Sequence, residues 1–166
     1  ETEAGILTLS NETIEQMLVK LKKLDDVKVE INQYAASKDT HRISRVLEVI
    51  MGGALSLGAS DIHLEPEEVG VRMRYRLDGV LVEVLMFDAP TYALVSSRLK
   101  LLSGLKLIVK STAQEGRFSI QVGGKEIEIR KTTTDLTTNE FTLYLEQVRA
   151  WAAQELKLIL PSINEV

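Results

Sequence analysis

The stretch 71–84 constrains the fold of this chain more than any other. It reads VRMRYRLDGVLVEV, in which apolar residues alternate with arginines before Asp78-Gly79 and a valine-rich run follows the turn. Side chains of a β-strand point alternately to the two faces of a sheet. Asp-Gly favours the positive φ angles that a two-residue turn requires. The pattern therefore predicts a β-hairpin that turns at Asp78-Gly79.

The two faces of this hairpin are predicted to differ in chemistry. On the incoming strand, Arg72, Arg74 and Arg76 share one face, and the apolar residues between them share the other. On the returning strand, one face is predicted to carry Val80, Val82, Val84 and Met86, and the other Leu81, Glu83 and Leu85. The sheet should therefore bury one apolar face and expose one arginine-bearing face.

The first part of the chain predicts two helices separated by a linker. Apolar residues at helical spacing indicate a helix from a cap at Ser10 or Asn11 to about Leu24. This helix either packs on its own domain or docks on a partner. The polar segment 25–40 is predicted to be a linker with a short strand or helical turn. A second helix is predicted to start at Asp39 or Thr40.

The second helix contains a glycine pair and should end at Gly58, which accepts a left-handed backbone without a Cβ clash. Gly52 and Gly53 each cost about 1 kcal/mol of helix stability relative to alanine. Close packing against the sheet would explain why both are tolerated. A third helix is predicted from a start at Asp88 to about residue 103, before Gly104.

The rest of the chain is predicted to add a second set of strands. The first expected segments are a short strand or extended turn at 105–109 and a loop at 114–117. They are followed by strands at 118–122, 125–131 and 141–145, with a turn or loop at 132–139, and by a helix at 148–160. The predicted fold class is therefore α+β, with a mainly antiparallel sheet, helices packed on one face, and N-terminal and C-terminal helices. The predicted domain organisation is a helical segment and linker at 1–38, an α+β domain at 39–147 and a C-terminal helix at 148–166.

Composition excludes several function classes. The net charge of −4 argues against a nucleic-acid-binding protein, which normally carries a basic excess. Without cysteine, the 166-residue chain has no disulfides or thiolate metal sites. No apolar run approaches the roughly 18 residues of a membrane span, and the acidic N-terminus lacks the basic region of a signal peptide.

No catalytic motif is present. The phosphate-binding pattern G-x-x-x-x-G-K-[ST] is absent, and the nearest text, VGGK at 122–125, falls in a predicted hairpin instead of leading into a helix. The patterns G-x-S-x-G, H-E-x-x-H and G-x-G-x-x-G are also absent. We therefore predict that this chain alone is not an enzyme and has no catalytic residues and no cofactor of its own.

Asp61, His63 and Glu65 alternate along one predicted strand and can share a face. Imidazole and carboxylates bind divalent metals, but this triplet holds one histidine and nothing nearby supplies a second. We therefore predict no metal site, and interpret the triplet as hydrogen-bonding residues that hold the strand to the following loop.

Several motifs in order resemble one known family. ASDIHLEP, RMRYRLDGVLVEV, SSRLKLLSGLKL and QEGRFSIQVGGKEIEIR resemble the domain that precedes the motor domain of type II secretion and type IV pilus assembly ATPases. The resemblance extends over about 43–130 and gives way after Arg130. It implies a PAS-like fold and a nucleotide-binding core located further towards the C-terminus, outside this chain.

The resemblance also implies roles for individual arginines. An arginine at the place of Arg130 reaches the nucleotide phosphates when this domain closes on the motor domain, and Arg76 is a second candidate for that contact. A further family arginine, about 15 residues later, corresponds to Leu145, so this pair is half missing. Arg72, Arg74 and Arg117 are candidate interface residues. The alternative is that the hairpin arginines pair across the sheet with carboxylates, namely those of Glu83, Glu126 or Glu128.

Two functions remain open from the sequence. The resemblance implies a non-catalytic domain of a cytoplasmic, hexameric motor, which couples the nucleotide state of the adjacent motor domain to domain movement and subunit assembly. ATP and magnesium would belong to that parent motor. Its partners would be neighbouring subunits and the inner-membrane platform proteins of a secretion or pilus machine. The alternative is a stand-alone interaction module, suggested by the apolar final segment 148–166.

Overall fold

The computed structural model describes residues 8–109, 112–134 and 140–145, which contain four helices and six strands. The helices are α1 (Asn11–Lys20), α2 (Leu24–Ala36), α3 (Arg42–Ser56) and α4 (Ala89–Leu102). The strands are β1 (Asp61–Pro66), β2 (Val71–Leu77), β3 (Val80–Phe87), β4 (Glu115–Val122), β5 (Lys125–Thr134) and β6 (Glu140–Leu145). The predicted α+β class is confirmed, while the PAS-like topology stays a prediction.

The six strands form one sheet in the order β3-β2-β1-β6-β5-β4, and every neighbouring pair is antiparallel. Two sets of three sequential strands are therefore joined where β1 pairs with β6. His63 lies opposite Thr142 at this seam, although 79 positions separate them. Long-range pairing of this kind cannot be deduced from local sequence pattern.

The β2–β3 hairpin turns as predicted, with φ angles of 50° at Asp78 and 80° at Gly79. Its strand pairing departs from strict alternation, because the register shifts between Met73 and Arg74. A bulge of this kind adds one residue to one strand and reverses the face of those beyond it. The prediction for the far end of β3 is therefore wrong: Leu85 is buried, and Met86 lies opposite Arg72 and is exposed.

The segment predicted as a linker forms helix α2 instead, and α1 ends at Lys20 rather than at Leu24. The start of α2 is stabilised by Asp26, whose carboxylate accepts from the backbone amides of Lys22 and Lys23 at 2.9 and 3.1 Å. Val27 and Ile31, four residues apart, are fully buried. The prediction failed because the letters VKVEI alternate with a period of two, which resembles a strand.

Helix α3 lies at the centre of the core. It begins at Arg42, slightly later than predicted, and Gly58 follows its end with φ of 71°. The phenolic hydroxyl of the fully buried Tyr75 donates to the carbonyl oxygen of Ile50 at 2.7 Å. This bond joins the apolar face of the sheet to the helix layer.

The glycine pair of α3 is confirmed as a close-packing site, but its neighbours are mainly other helices. A Cβ at Gly52 would lie 2.5 Å from Cβ of Met17, on α1. A Cβ at Gly53 would lie 2.7 Å from Cγ2 of Val27, on α2, and 3.0 Å from the hydroxyl of Tyr75. Both glycines are therefore required by helix–helix contact, and the sheet contributes one side chain.

Helix α1 packs on its own domain, which was one of the two roles predicted for it; the other was docking on a partner. Ile14, Met17 and Leu21 are buried in the common core. Asn11 and Glu15 also bind the β4–β5 hairpin, since their side chains accept from the backbone amides of Gln121 and Gly123 at 3.0 and 2.8 Å. The predicted division into three segments stays a prediction, but α1 and α2 share one core with the sheet.

Helix α4 and the β4–β5 hairpin are helix and hairpin as predicted, but some of their end residues differ from the predicted ones. Asp88 caps α4, and its carboxylate accepts from the amide of Thr91 at 2.7 Å. The predicted extended turn at 105–109 forms a loop with no strand in its described residues, bound at Lys106 by Gln114. The predicted loop 114–117 belongs largely to β4, and β5 extends to Thr134 because β6 pairs along it. The predicted turn beyond 134 and the helix 148–160 lie outside the described residues.

Candidate functional site

The face of the sheet opposite the helices carries all five arginines that the sequence singled out, and we call it the arginine face. Residues directly opposite each other on paired strands share a face. One such row crosses five strands and contains Arg76 and Asp61 on β2 and β1, a position of β6, and then Arg130 and Arg117 on β5 and β4. Arg72 and Arg74 share the face with Arg76 by alternation along β2. The tertiary structure therefore brings the candidate residues together on one surface.

The three arginines of β2 are paired with carboxylates. Arg76 Nε lies 3.0 Å from Asp61 Oδ2, and Arg74 Nη2 donates to Glu65. Arg72 Nη2 lies 3.0 Å from Glu67 Oε2. Acidic residues of β1 and of the loop after it therefore offset most of the positive charge of this strand.

The predicted carboxylate partners were mostly wrong. Glu83 is confirmed, since its Oε2 lies 3.5 Å from Arg72 Nε. Glu126 and Glu128 lie on β5, which is three strands from β2, or about 14 Å across the sheet. The main partners, Asp61 and Glu65, were missed, although the short connection between β1 and β2 is a signal that these strands pair.

His63 lies at the centre of the arginine face, where it contacts both acidic residues of its own strand. Its Nε2 hydrogen-bonds with Asp61, and its Nδ1 lies 3.7 Å from Glu65 Oε1. The same Nδ1 lies 3.4 Å from Thr142 Oγ1 on β6. This network holds β1 to β6, so the predicted hydrogen-bonding role of the triplet is confirmed. Its partners, however, lie on the neighbouring strands β2 and β6, and not in the following loop as predicted. In the described part of the chain, no group of three histidine, cysteine or acidic residues is placed to hold a metal ion.

The Asp61 carboxylate is the electrostatic centre of the network. Burial raises its pKa, but hydrogen bonds from His63 and Ser60 and the positive charge of Arg76 outweigh burial, so the net pKa lies below its ordinary value. A carboxyl group whose pKa is lowered by folding stabilises the fold above its unfolded pKa. That contribution is lost as the pH falls below roughly 4 and through the folded pKa.

We expect Asp61→Asn to lower the free energy of unfolding by roughly 1–3 kcal/mol at pH 7, because it removes the charge that Arg76 and His63 bind. The loss should shrink as the pH falls below roughly 4, because the unfolded wild-type carboxyl becomes protonated there and the folded one follows at its lower pKa. Urea denaturation at pH 7 and at pH 3 measures both values. The exposed Asp25, changed to Asn, is the control. Equal losses at both pH values would contradict the assignment.

Arg117 and Arg130 form the more accessible part of the arginine face. Their side chains are 73% and 58% exposed, compared with 27–37% for the arginines of β2. Glu128 Oε1 lies 3.7 Å from Arg117 Nη1 and 3.9 Å from Arg130 Nε. Leu145, the place of the second family arginine, lies opposite Ile129 and is buried on the apolar face. An arginine at 145 would therefore not share the surface of Arg130.

In the described residues, no helix is long and apolar enough to cross a membrane.

Comparison with known proteins gives the family of this chain. The family model described as "Type II/IV secretion system protein" matches residues 36–157. The match extends past Arg130, so the prediction that the resemblance gives way there is wrong.

Individual relatives point to the same family. The chain is 38% identical over 120 residues to type II secretion system protein E of Pseudomonas aeruginosa, covering 72% of this chain and 24% of that protein. It is 37% identical over 97 residues to type II secretion system ATPase E of Vibrio cholerae, covering 58% and 19%. With the type IV pilus assembly ATPase PilB of Myxococcus xanthus it shares 34% identity over 113 residues, covering 64% and 20%.

The chain thus spans about a fifth to a quarter of the length of these relatives. The family model, in contrast, covers most of the chain, including two of the four helices, α3 and α4, and all six strands of the described residues. On these grounds the chain belongs to the type II/IV secretion system protein family.

Proposed function

We propose that this chain is a non-catalytic domain of a secretion or pilus-assembly motor ATPase. In this role it couples the nucleotide state of the adjacent motor domain to domain movement and subunit assembly. The observation that carries the proposal is the row of Arg76, Arg130 and Arg117 across one face of the sheet. Two of the relatives are named as ATPases, which supports the same assignment.

The sheet suits the role of a lever that presents arginines. It is backed by the fully buried residues of α3, so a movement of the domain would carry the arginine face as one body. Guanidinium groups bind phosphate oxygens in a bidentate manner and remain charged at all relevant pH values. Arg130, which is more than half exposed, is the residue assigned to the nucleotide phosphates.

Arg76 has a different role in the proposal. Its Nε is bound to Asp61 at 3.0 Å and its Nη1 lies 3.3 Å from the carbonyl oxygen of Gly79. A nucleotide contact by Arg76 would therefore compete with an existing ion pair. Arg72 and Arg74 are assigned to an interface with a motor domain or a neighbouring subunit, where their carboxylate partners would fix their orientation.

The remaining components are assigned to the parent motor. ATP and magnesium would be bound by the motor domain, and the intact protein would form a homo-hexamer in the cytoplasm. It would be peripheral to the inner membrane through platform proteins of the secretion or pilus machine. The stand-alone alternative depends on residues 148–166, which lie outside the described residues, and the family match to residue 157 does not favour it.

Calorimetric titration of the 166-residue chain with magnesium and a non-hydrolysable ATP analogue tests the proposal, combined with its mass in solution. We expect no tight binding and a monomer, because the arginines act on a nucleotide that another domain holds. A dissociation constant of roughly micromolar or better would mean that this chain carries its own nucleotide site, and the proposed function would then be wrong.

A further inference from the structure

We infer that helix α1 positions the β4–β5 hairpin, with Asn11 and Glu15 as the positioning residues and Glu48 of α3 as the group that fixes α1 itself. The family model begins at residue 36, so α1 lies outside the matched part of the chain. Because the hairpin carries Arg130, the importance of this arrangement for a motor rests on the proposed function. The arrangement itself belongs to the 166-residue chain and can be measured there.

Asn11 occupies a backbone donor at the open edge of the sheet. β4 is the last strand in the sheet order, so only one of its two edges is paired. Val122 and Lys125 flank the two-residue turn Gly123-Gly124 and form a hydrogen-bonded pair, so by alternation the amide of Gln121 points away from β5. Asn11 Oδ1 accepts from this amide at 3.0 Å. Asn11 thus takes the place of the carbonyl oxygen that a seventh strand would provide.

Glu15 provides a second attachment, at the turn of the hairpin. Its Oε1 accepts from the backbone amide of Gly123 at 2.8 Å. Asn11 and Glu15 are four residues apart, so they lie on the same face of α1 and reach the hairpin together. A hydrogen bond to a carboxylate is stronger than one to a neutral acceptor. Two attachment points on one helix face fix the direction of the hairpin as well as its distance from α1.

Helix α1 is in turn fixed at its start by a buried carboxylate. The Glu48 side chain is 4% exposed, and its Oε1 accepts from the backbone amide of Ser10 at 2.7 Å. Its Oε2 accepts from Arg45 Nη1 at 3.1 Å, and the same nitrogen donates to Thr13 Oγ1. Ser10 directly precedes Asn11 in the chain. A continuous series of polar contacts therefore leads from the core helix α3 to the edge of the sheet.

The apolar contacts of the hairpin do not fix its direction in the same way. Ile120 and Val122 are buried and hold the inner face of β4 to the core. At the base of the hairpin, Gly116 lies against the end of α4, where a Cβ would meet the carbonyl oxygen of Ser103 at 2.5 Å. Hydrophobic contact is non-directional, whereas a hydrogen bond has a preferred length and angle. The two bonds from α1 therefore determine the orientation of the hairpin tip.

Amide hydrogen exchange of the 166-residue chain, followed by NMR, tests this role. Asn11→Leu keeps a side chain of similar size and removes the acceptor, so the amide of Gln121 should exchange about fivefold faster. Glu15→Met should have the same effect on the amide of Gly123. Glu12→Met is the matched control, because it removes an exposed carboxylate from the same turn of α1. It should change either rate by less than about twofold.

Conservative variants separate positioning from general stability. Asn11→Asp and Glu15→Gln keep an acceptor oxygen, so exchange should stay within about twofold of the wild-type rate. The amide of Ile62, which is fully buried on the central strand β1, reports opening of the whole domain and should not change. Wild-type exchange at Gln121 in Asn11→Leu would overturn the assignment. Equal acceleration at Gln121 and Ile62 would overturn it too, because it would show a general loss of stability.

Glu48→Gln tests the fixation of α1. This change keeps an oxygen for the amide of Ser10 and loses the charge that Arg45 binds. The amides of Gln121 and Gly123 should then both exchange about threefold faster relative to Ile62. Unchanged ratios would show that Glu48 does not control the position of α1.

The results also separate this role of α1 from the proposed function. If Asn11→Leu leaves exchange at Gln121 unchanged while Arg130→Ala lowers ATP hydrolysis in the motor, the positioning role alone is wrong. If exchange at Gln121 rises as expected while Arg130→Ala leaves hydrolysis unchanged, the positioning role stands and the coupling role is wrong.

Discussion

Arg130→Ala, made in an intact motor protein that carries this domain, is expected to lower the rate of ATP hydrolysis on the order of 10³-fold. An arginine directed at a transferring phosphoryl group stabilises the charge that develops in the transition state, and its loss typically has an effect of that size. The structure supports the choice of Arg130, because its side chain is 58% exposed on a sheet that cannot deform locally without disturbing the core. Steady-state kinetics at saturating ATP measures the effect.

The control for this prediction lies on the same face. Arg72 lies 3.0 Å from Glu67 and 3.5 Å from Glu83, so Arg72→Ala tests the removal of a less exposed arginine from the same face. We expect its effect on hydrolysis to be at least about tenfold smaller than that of Arg130→Ala. An unchanged rate in Arg130→Ala would contradict the proposed coupling role.

Gly53→Ala is expected to lower the free energy of unfolding by about 2 kcal/mol. On helix propensity alone, the change would raise stability by about 1 kcal/mol. The new Cβ, however, would lie 2.7 Å from Cγ2 of Val27 and 3.0 Å from the hydroxyl of Tyr75. Both neighbours are fully buried, so neither can move without repacking the core. Urea denaturation measures the difference.

A double-mutant cycle identifies the cause. Val27→Ala removes both methyl groups that the new Cβ would meet and leaves the Tyr75 hydroxyl at 3.0 Å. The gain in helix propensity offsets that remaining contact, so in this background Gly53→Ala should be close to neutral. The resulting coupling energy should be about 1–3 kcal/mol. Ser97→Ala, at an exposed position of α4, should change stability by less than about 0.5 kcal/mol. Equal effects of Gly53→Ala in both backgrounds would show that the contact with Val27 does not limit this site.

Turns and helix ends were the parts of the fold that could be predicted from the sequence. The Asp78-Gly79 turn needs two positive φ angles, and few other residue pairs adopt them without strain. The Asp88 cap and the glycine that follows α3 are likewise set by interactions within a few residues. These features depend on neighbours along the chain, so the amino-acid sequence is sufficient to predict them.

Helix α2 and the end of β3 were mispredicted for related reasons. The period of two in VKVEI is a weak local preference, and burial of Val27 and Ile31 beside α3 overrides it. In β3, one bulge beside Arg74 exchanges the faces of Leu85 and Met86. A prediction from strand periodicity assumes an uninterrupted ladder of hydrogen bonds between the strands. A bulge interrupts that ladder, and it forms only when two strands are paired.

The sequence by itself determined that this chain has arginines alternating along a strand, an α+β composition of elements, and the ordered motifs of its family. Those properties depend on the identity and spacing of residues, which can be read directly from the sequence. Only the tertiary structure decided that Arg76 and Arg130 share one row and that Arg117 lies beside Arg130. The reason is that β6 inserts between β1 and β5, and the pairing of strands distant in sequence is selected by burial of the whole core.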